Sequence, residues 1–492
     1  MNTDLLKKKI LDLAIKGKLV EQRPEEGTAE DLYQQIQEEK ANLIKEGKLK
    51  KEKPLAPIED DIPFDIPESW KWVRIRDISL LVTKGTTPRG GNVAYTDKGV
   101  GFLRAENVNG LTTLNLSNLK FVSEKAHQNE LKRSVLEDGD ILVTIAGTLG
   151  RTAVVKSTDL PLNANQAISI VRMIFKSENM LKYAAFALNS NTIQQILLRQ
   201  TKQTAIPNLT LEIVGNCIIP LPPLAEQKRI VDKIDLLFSR ISCIENGLLE
   251  IYRLSELTRK KILDLAIRGN LVDQIPEEGS AEDLYLQIQE EKQNLIKEGK
   301  LKKEKPLAPI EDDEIPFDIP EDWKWVRLRS IVFNHGQKTP NQNFMYIEIN
   351  SIDNTTQKLT NDINIVTPEK APSRARKIVC EGDILYATVR PYLHNMCIVE
   401  GEFQYEPIAS TGFAVMTCIK GVLNKYLFYS LLSPFFDKYA NDSENSKGIS
   451  YPAINDEKLY KALIPLPPLA EQKRIVAKVE ELLALCDKLK LK

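Results

Sequence analysis

The chain has 492 residues, 42% hydrophobic and 27% charged, with 67 basic and 68 acidic side chains. That length implies two to four domains, not one core, and the composition excludes a chain disordered throughout. A net charge of −1 gives nucleic-acid binding no support, so any electrostatic footprint has to be local. The six cysteines, Cys217, Cys243, Cys380, Cys397, Cys418 and Cys486, form no C-x-x-C pair, and the histidines are His127, His335 and His394. No metal site is expected from such a set. Scattered thiols suit a reducing cytoplasm. Residues Met1–Lys9 are polar and basic with no apolar run behind them, so no signal peptide is expected. No apolar stretch approaches the roughly 18 residues that a bilayer span needs.

In chain order, the sequence first predicts a helix over Asp4–Lys16. A second opens at Thr28-x-x-Asp31, a capping box with Asp in place of Glu or Gln, and closes near Gly47. Its segment QEEKANLIKEGKLKKEK reads as a solvated, ion-paired face, or more sharply as a docking face for a partner. Trp70 and Trp72 then sit at i,i+2 on one side of a predicted strand. Packing where a globule meets a helix is favoured there over base stacking. Within residues 79–215 the runs DILVTIAG (140–147) and QAISIVRM (166–173) read as strands, and Ser177–Arg199 as a helix. The block IPLPPLAEQKRIVDKI (Ile219–Ile234) reads as a rigid proline hinge into a long helix. Within residues 332–460 the runs FMYIEI (344–349), DILYATV (383–389) and TGFAVMTC (411–418) read as strands, and Gly421–Tyr439 as a helix. Each of the two unique stretches is expected to form an α+β globule of about 150 residues.

Internal repetition organises all of this. KILDLAIKGKLVEQRPEEGTAEDLY through IPFDIPESWKWVRIRDI (Lys9–Ile78) returns as KILDLAIRGNLVDQIPEEGSAEDLY through IPFDIPEDWKWVRLRSI (Lys261–Ile331), with Ser280-x-x-Asp283, Gly299, Trp323 and Trp325 at matching places. The IPLPPLAEQKRIV block returns at Ile464–Val479. In the middle the two blocks are fused; at the ends they are split, one at each terminus. The chain is thus a two-fold repeat circularly cut inside one helix, with residues 248–252 lacking a counterpart.

That middle helix carries Ile230, Ile234, Leu237, Ile241, Ile244, Leu248 and Ile251 at alternating spacings of four and three, the seam of a left-handed coiled coil. The C-terminal copy repeats it with Ile475, Val479, Leu482, Cys486 and Leu489, and the N-terminal copy continues it with Ile10 and Leu13. The expectation is an antiparallel coiled coil of Ala225–Arg268 against Ala470–Leu491 plus Asp4–Lys16, a rod roughly 65 Å long. The fold class is therefore α+β: two globular heads separated by an antiparallel coiled coil, with a circular pseudo-two-fold repeat. Expected boundaries are a helical region at 1–62, a first head at 63–219, a helical spacer at 220–315, a second head at 316–464 and a closing helix at 465–492. The heads share Gly139-Asp140-Ile141-Leu142 with Gly382-Asp383-Ile384-Leu385, and TKQTAIPNL (Thr201–Leu209) with SKGISYPAI (Ser446–Ile454), which implies a common fold with different surfaces.

This order resembles the specificity subunit of Type I restriction–modification systems. The resemblance covers nearly the whole chain and rests on the duplicated PLPPLAEQKRIV, the duplicated KGKLV/RGNLV and the circular split. It implies two target-recognition domains held apart by constant helices, each reading one half of a bipartite double-stranded DNA target, while the spacer sets the gap. It implies two methyltransferase subunits and restriction subunits as partners, and no membrane. Charge agrees for one head only: Asp65–Ile219 has 18 basic and 13 acidic residues, Asp318–Leu463 has 16 and 17.

Arg grips guanine and Asn or Gln grips adenine through paired hydrogen bonds in the major groove. Polar loops of the heads are therefore the DNA-binding candidates. They are Thr86, Thr87 and Arg89 in the loop from Gly85, then Lys202, Gln203 and Thr204 in the first head. In the second head they are Lys338 and Asn341, then Arg390, Tyr392 and His394, then Lys447, Ser450 and Tyr451. Ordinary polar surface loops carry the same residue types. No catalytic residue is expected. The chain has no N-P-P-[YF], no glycine-rich cofactor loop of a methyltransferase and no G-x-x-x-x-G-K-[ST]. S-adenosylmethionine, ATP and Mg are accordingly expected in partner subunits and no cofactor here. The competing readings are a fused methyltransferase or nuclease, which those missing motifs oppose, and a coiled-coil scaffold without a DNA role.

Overall fold

The computed structural model describes residues 2–50, 57–58, 62–90, 95–199, 201, 208–303, 308–447 and 452–489. The chain separates into two units, Met1–Asn246 and Gly247–Lys492.

The first unit opens with α1 (Thr3–Ile15) and α2 (Ala29–Lys45). The capping box of α2 forms in both directions, Thr28 Oγ1 accepting the Asp31 amide and Asp31 the Thr28 amide. Gly47, at φ 73°, ends the helix, and the amides of Gly47 and Lys48 close on the carbonyls of Ile44 and Leu43. The glycine of KGKLV has a steric reason: at Gly17 φ is +66°, and a Cβ would fall 2.3 Å from the ring of Pro67. Gly269 of RGNLV meets Pro320 at the same 2.3 Å.

Besides a short pair of Val108–Gly110 and Thr113–Leu114, the strands of this unit are β1 (Lys71–Arg74), β2 (Ser79–Lys84), β3 (Val100–Leu103), β4 (Lys120–Val122), β5 (Ile141–Thr144), β6 (Thr152–Val154), β7 (Leu162–Ala164), β8 (Ile168–Met173) and β9 (Ile218–Leu221). They make an antiparallel sheet in the order β2-β8-β5-β6, a mixed sheet β4-β3-β7, and the pair β1-β9. The run DILVTI is apolar on both faces because both are buried. Ile141 and Val143 join the core beneath the helices, whereas Leu142 faces Leu162, Ile168 and Ile170. The expected helical stretch is formed by two helices, α3 (Glu178–Asn189) and α4 (Asn191–Arg199). Ser190 breaks them, its hydroxyl bonding the Ala187 carbonyl and its backbone leaving the helical region at ψ 146°. The proline block also departs from a simple hinge. Ile218–Leu221 is a strand, with Pro220 opposite Trp72, in a two-stranded pair where the missing amide costs no ladder bond between central strands.

Helix α5 (Leu224–Ile267) runs for 44 residues and begins in the first unit. Lys7 pairs with Glu245 at 2.9 Å, while Gln22 and Glu26, later in sequence, meet Glu226 and Arg229. The helix α1 is therefore antiparallel to the first half of α5. In the second unit Arg259 pairs with Asp487, while Gln274 and Glu278 meet Glu471 and Arg474. There the closing helix, Leu469–Leu489, is antiparallel to the second half of α5. The predicted seam is buried at Ile230, Ile234 and Ile241 and again at Ile475, Val479 and Cys486, but Ile244, Ile251 and Leu489 are exposed. The seam loses its cover around the stretch 248–252, which has no counterpart in the split copy.

The second unit repeats the layout with α6 (Ala281–Lys297), β10 (Lys324–Arg327), β11 (Val332–Phe333), β12 (Phe344–Ile347), β13 (Ile365–Val366), β14 (Ala375–Ile378), β15 (Ile384–Ala387), β16 (Met396–Ile398), β17 (Glu406–Ser410) and β18 (Phe413–Cys418). It continues with α7 (Asn424–Leu431), α8 (Pro434–Asn441), β19 (Ser446–Lys447), β20 (Ala453–Ile454), β21 (Leu463–Leu466) and α9, the closing helix. The sheets are β11-β18-β15-β16, β13-β12-β17-β14, β10-β21 and β19-β20, with a further short pair of Ile352–Asp353 and Lys358–Leu359. Each unit thus has one parallel contact at the same place, β3 with β7 and β12 with β17. The shared G-D-I-L falls in one register: Ile141 lies opposite Val171 and Ile384 opposite Met416. Here too the helical stretch is two helices, because Ser433 caps α8 and Pro434 occupies its first turn.

Candidate nucleic-acid interface

In the first unit the loop Gly85–Arg89 leaves the end of β2. The Gly85 amide donates to the Ile168 carbonyl and the Thr86 amide to the Ala164 carbonyl, each at 2.9 Å. A Cβ on Gly85 would lie 2.2 Å from that Ala164 oxygen, so only glycine permits this close approach. Thr86 and Thr87 are half-buried. Arg89 is exposed, and its amide donates to Glu130 Oε1 at 2.7 Å. Residues on either side of Glu130 in sequence line a cleft of about 420 Å³, among them His127, Gln128, Lys132 and Arg133, together with Arg172. Lys132 and Arg133 are exposed. Sequence reading passed them over, although two adjacent basic residues were a usable signal. Lys202, Gln203 and Thr204 fall outside the described residues. Leu209, at the end of that loop, donates its amide to the Ile145 carbonyl at 2.9 Å.

In the second unit the matching bond runs from the Ile454 amide to the Thr388 carbonyl at 3.0 Å. It draws two predicted segments together. Val389 bridges Ala453, and the Arg390 amide donates to the Pro452 carbonyl at 2.7 Å. Arg390 and His394 bracket the turn Pro391–Leu393 in left-handed backbone, at φ 52° and 50°. Such residues cost on the order of 1–3 kcal/mol each and persist only where neighbours hold them. The Pro452 carbonyl holds the first. Asp437 of α8 holds the second, its Oδ1 lying 2.7 Å from His394 Nε2. Tyr392, between them, is 49% exposed. Ser450 and Tyr451 lie outside the described residues, and Lys447 is placed by its backbone, opposite Ala453.

Lys338 and Asn341 follow β11. Asn341 is exposed, the Lys338 amide donates to the Arg376 carbonyl at 2.9 Å, and its ammonium pairs with Glu406. The early loop therefore runs beside β14. That strand carries Arg376 and Lys377, with Arg374 exposed just before it, and Lys377 reaches Asp456 just past the late loop at 3.7 Å. Arg374 and Arg376 were also missed, though the run S-R-A-R-K at 373–377 announces them. Cationic and amide side chains thus gather on loops that two-face-buried strands hold in place, an arrangement suited to phosphate positioning and base-edge contact.

The family model of the Type I restriction modification DNA specificity domain matches residues 67–252 and again 320–491. The chain belongs to that family. Among curated relatives, the Type I restriction enzyme EcoAI specificity subunit of Escherichia coli is 28% identical over 99% of this chain and 90% of its own length. The EcoEI specificity subunit of the same organism is 26% identical with the same coverage. A solved chain described under complex assembly and conformational transition of the type I R-M system shares the fold at a TM-score of 0.54, with 21% identity, 87% of this chain and 93% of that one.

Each specificity domain of this family member is locked to its helix by one repeated set of bonds. Trp70 donates its indole N–H to Glu226 Oε2 and Gln22 its amide N–H to Oε1, at 2.8 and 2.6 Å; Trp323 and Gln274 do the same to Glu471, at 2.9 and 2.8 Å. Burial pushes both carboxyls above their ordinary range, while these donors and Arg229 or Arg474 pull the other way. Tyr183 and Tyr426, fully buried on α3 and α7, donate to the carbonyls of Pro220 and Pro465. Trp70 and Trp323 thus serve packing between globule and helix. Trp70 and Trp323 precede their strands by one residue, so only Trp72 and Trp325 stand on them. No helix among the described residues is long and apolar enough to cross a membrane.

Proposed function

We propose that this chain is the DNA sequence-specificity subunit of a Type I restriction–modification complex, acting in the cytoplasm without a catalytic site of its own. The observation that carries this reading is the double match of the specificity-domain family, at 67–252 and 320–491, on two units that share a four-stranded antiparallel sheet and one parallel contact but differ in loop residues. A bipartite target needs such a pair of readers. Each unit reads one half-site, and the helices centred on α5 set the gap between them, since half-site spacing follows from the geometry of what joins two probes. Residues 63–219 and 316–464 are the readers, and 1–62, 220–315 and 465–492 the helical frame.

Base reading falls to Thr86, Thr87, Arg89 and Lys202–Thr204 in the first reader. In the second it falls to Lys338, Asn341, Arg390, Tyr392, His394 and the late loop with Lys447, Ser450 and Tyr451. Two methyltransferase subunits and the restriction subunits supply the chemistry, with S-adenosylmethionine, ATP and Mg bound there. The target adenine has to leave the base stack to be methylated, a step for the partner while this chain holds the duplex. The test is selection of bound duplexes from a random pool by the chain assembled with its methyltransferase subunits. Two short fixed sequences at constant separation support the reading, and enrichment of no sequence or of one continuous site opposes it.

A further inference from the structure

The two units treat one buried acid differently. In the first, Asp140 is fully buried and gripped by Arg172, whose Nε and Nη2 donate to its two oxygens at 2.7 and 2.8 Å, while Nη1 reaches Glu137. The Glu137 amide donates to Asp140 Oδ2 at 2.8 Å. In the second unit the same turn holds Asp383, also fully buried, with the Cys380 amide donating to its Oδ2 at 2.7 Å. Cys380 therefore stands where Glu137 does. Strand register fixes the third position: Val171 is opposite Ile141 and Met416 opposite Ile384, so Thr417 stands where Arg172 does. The guanidinium is gone. Asp383 pairs instead with His335, Nε2 to Oδ1 at 3.7 Å, and the Thr417 hydroxyl donates to that oxygen at 2.6 Å and lies 3.0 Å from the same imidazole nitrogen.

We propose that His335, Cys380 and Asp383 form a binding site for a thiophilic divalent cation such as Zn²⁺, which takes the place of the missing guanidinium. The donors are an imidazole nitrogen, a thiol sulfur and a carboxylate oxygen, all within 4.8 Å of one another. In a tetrahedral zinc site such donors stand roughly 3.3–3.8 Å apart. His335 and Asp383 already meet that spacing, and Cys380, on the exposed rim of the turn, closes the rest by rotating its side chain. The Thr417 hydroxyl or water completes the shell. The donor set names the metal class, and Thr417 in the place of Arg172 leaves the buried Asp383 without the fixed guanidinium that Asp140 has. A thiol ligates as its thiolate, so metal binding at Cys380 displaces a proton. The ion would tie the start of the early loop, which leads from His335 to Lys338, to the turn before β15. A separation of 45 residues between His335 and Cys380 hides the set from any spacing motif.

The test uses the full-length chain stripped with a chelator, then titrated with Zn²⁺ against a chromophoric competitor and with Co²⁺ in the spectrometer. One equivalent of Zn²⁺ and a thiolate-to-cobalt charge-transfer band are expected. Cys380→Ser and His335→Ala should each weaken Zn²⁺ binding by about 10–100-fold or more, since even outer-shell partners cost that much. Thr417→Arg, which restores the arrangement of the first unit, should exclude the ion. Circular dichroism of each variant separates loss of binding from loss of fold, and the exposed position of Cys380 keeps its variant informative. Failure to bind Zn²⁺, or binding that survives Cys380→Ser and Thr417→Arg and so belongs to other cysteines, overturns the site without touching the DNA-reading role.

Discussion

Trp70 donates its indole N–H to Glu226 at 2.8 Å across 156 residues of chain. The bond joins the start of a DNA-reading globule to the helix that carries it, and both residues are buried. Its repetition between Trp323 and Glu471 shows why the duplicated blocks are held constant while the globules between them differ.

Removing the donor leaves a buried carboxylate oxygen without its partner. Trp70→Phe should destabilise the first unit by about 1–3 kcal/mol, and Trp323→Phe the second by a similar amount. Urea unfolding monitored by circular dichroism checks this. A loss within error of zero would mean that the bond does not anchor the globule.

The same carboxyls give a pH signature. Burial holds Glu226 and Glu471 above their ordinary value of 4.5. The folded chain therefore keeps these protons more tightly than the unfolded chain. The resulting stabilisation is complete below the unfolded value and is lost as pH rises through the folded one. Relative to a Glu226→Gln, Glu471→Gln variant, the wild type should lose melting temperature as pH climbs from about 4.5 towards neutrality. A relative gain over that range would contradict the sign.

Arg172 is the fixed countercharge of fully buried Asp140. Arg172→Ala should cost about 3–5 kcal/mol, the penalty for leaving a buried charge unpaired, read from denaturant midpoints. Stability close to wild type would show that water reaches Asp140.

Phosphate contact and base contact separate by salt. Lys132→Ala with Arg133→Ala, or Arg374→Ala with Arg376→Ala, should weaken DNA binding evenly across sequences. Each pair should also flatten the dependence of log K on log salt by about one for every phosphate no longer neutralised. Arg390→Ala should instead relax preference within one half-site. Binding isotherms at several salt concentrations, on cognate and altered duplexes, distinguish the two.

Much of the architecture was legible because repeats and burial both write strongly into sequence. The doubled blocks located the constant helices and their antiparallel pairing. Strands buried on both faces, such as DILVTI and DILYAT, stood out as apolar runs. Local breaks were harder: Ser190 and Ser433 split helices whose apolar period continues across them, because a cap is chosen by one side chain bonding its own backbone. Sequence placed Ile244 and Ile251 in the α5 seam, where the structure leaves them exposed, because a heptad pattern alone does not reveal a missing partner. Among the candidate loops, sequence named the Arg390 loop and the late loop but not that Pro452 joins them. It did not single out Lys132, Arg133, Arg374 and Arg376 as candidates, because a basic residue says nothing of its face until neighbours are placed. Cys380 and His335 are brought together only by the sheet.

The central claim is that each globule reads its own half of a divided target. Methylome sequencing of cells in which residues 79–215 are exchanged for another head tests it most directly. One half of a two-part methyladenine motif should change while the other half and the gap stay fixed, and deletion of the gene should abolish the motif. Alteration of both halves together, or a motif that survives deletion, would contradict the account.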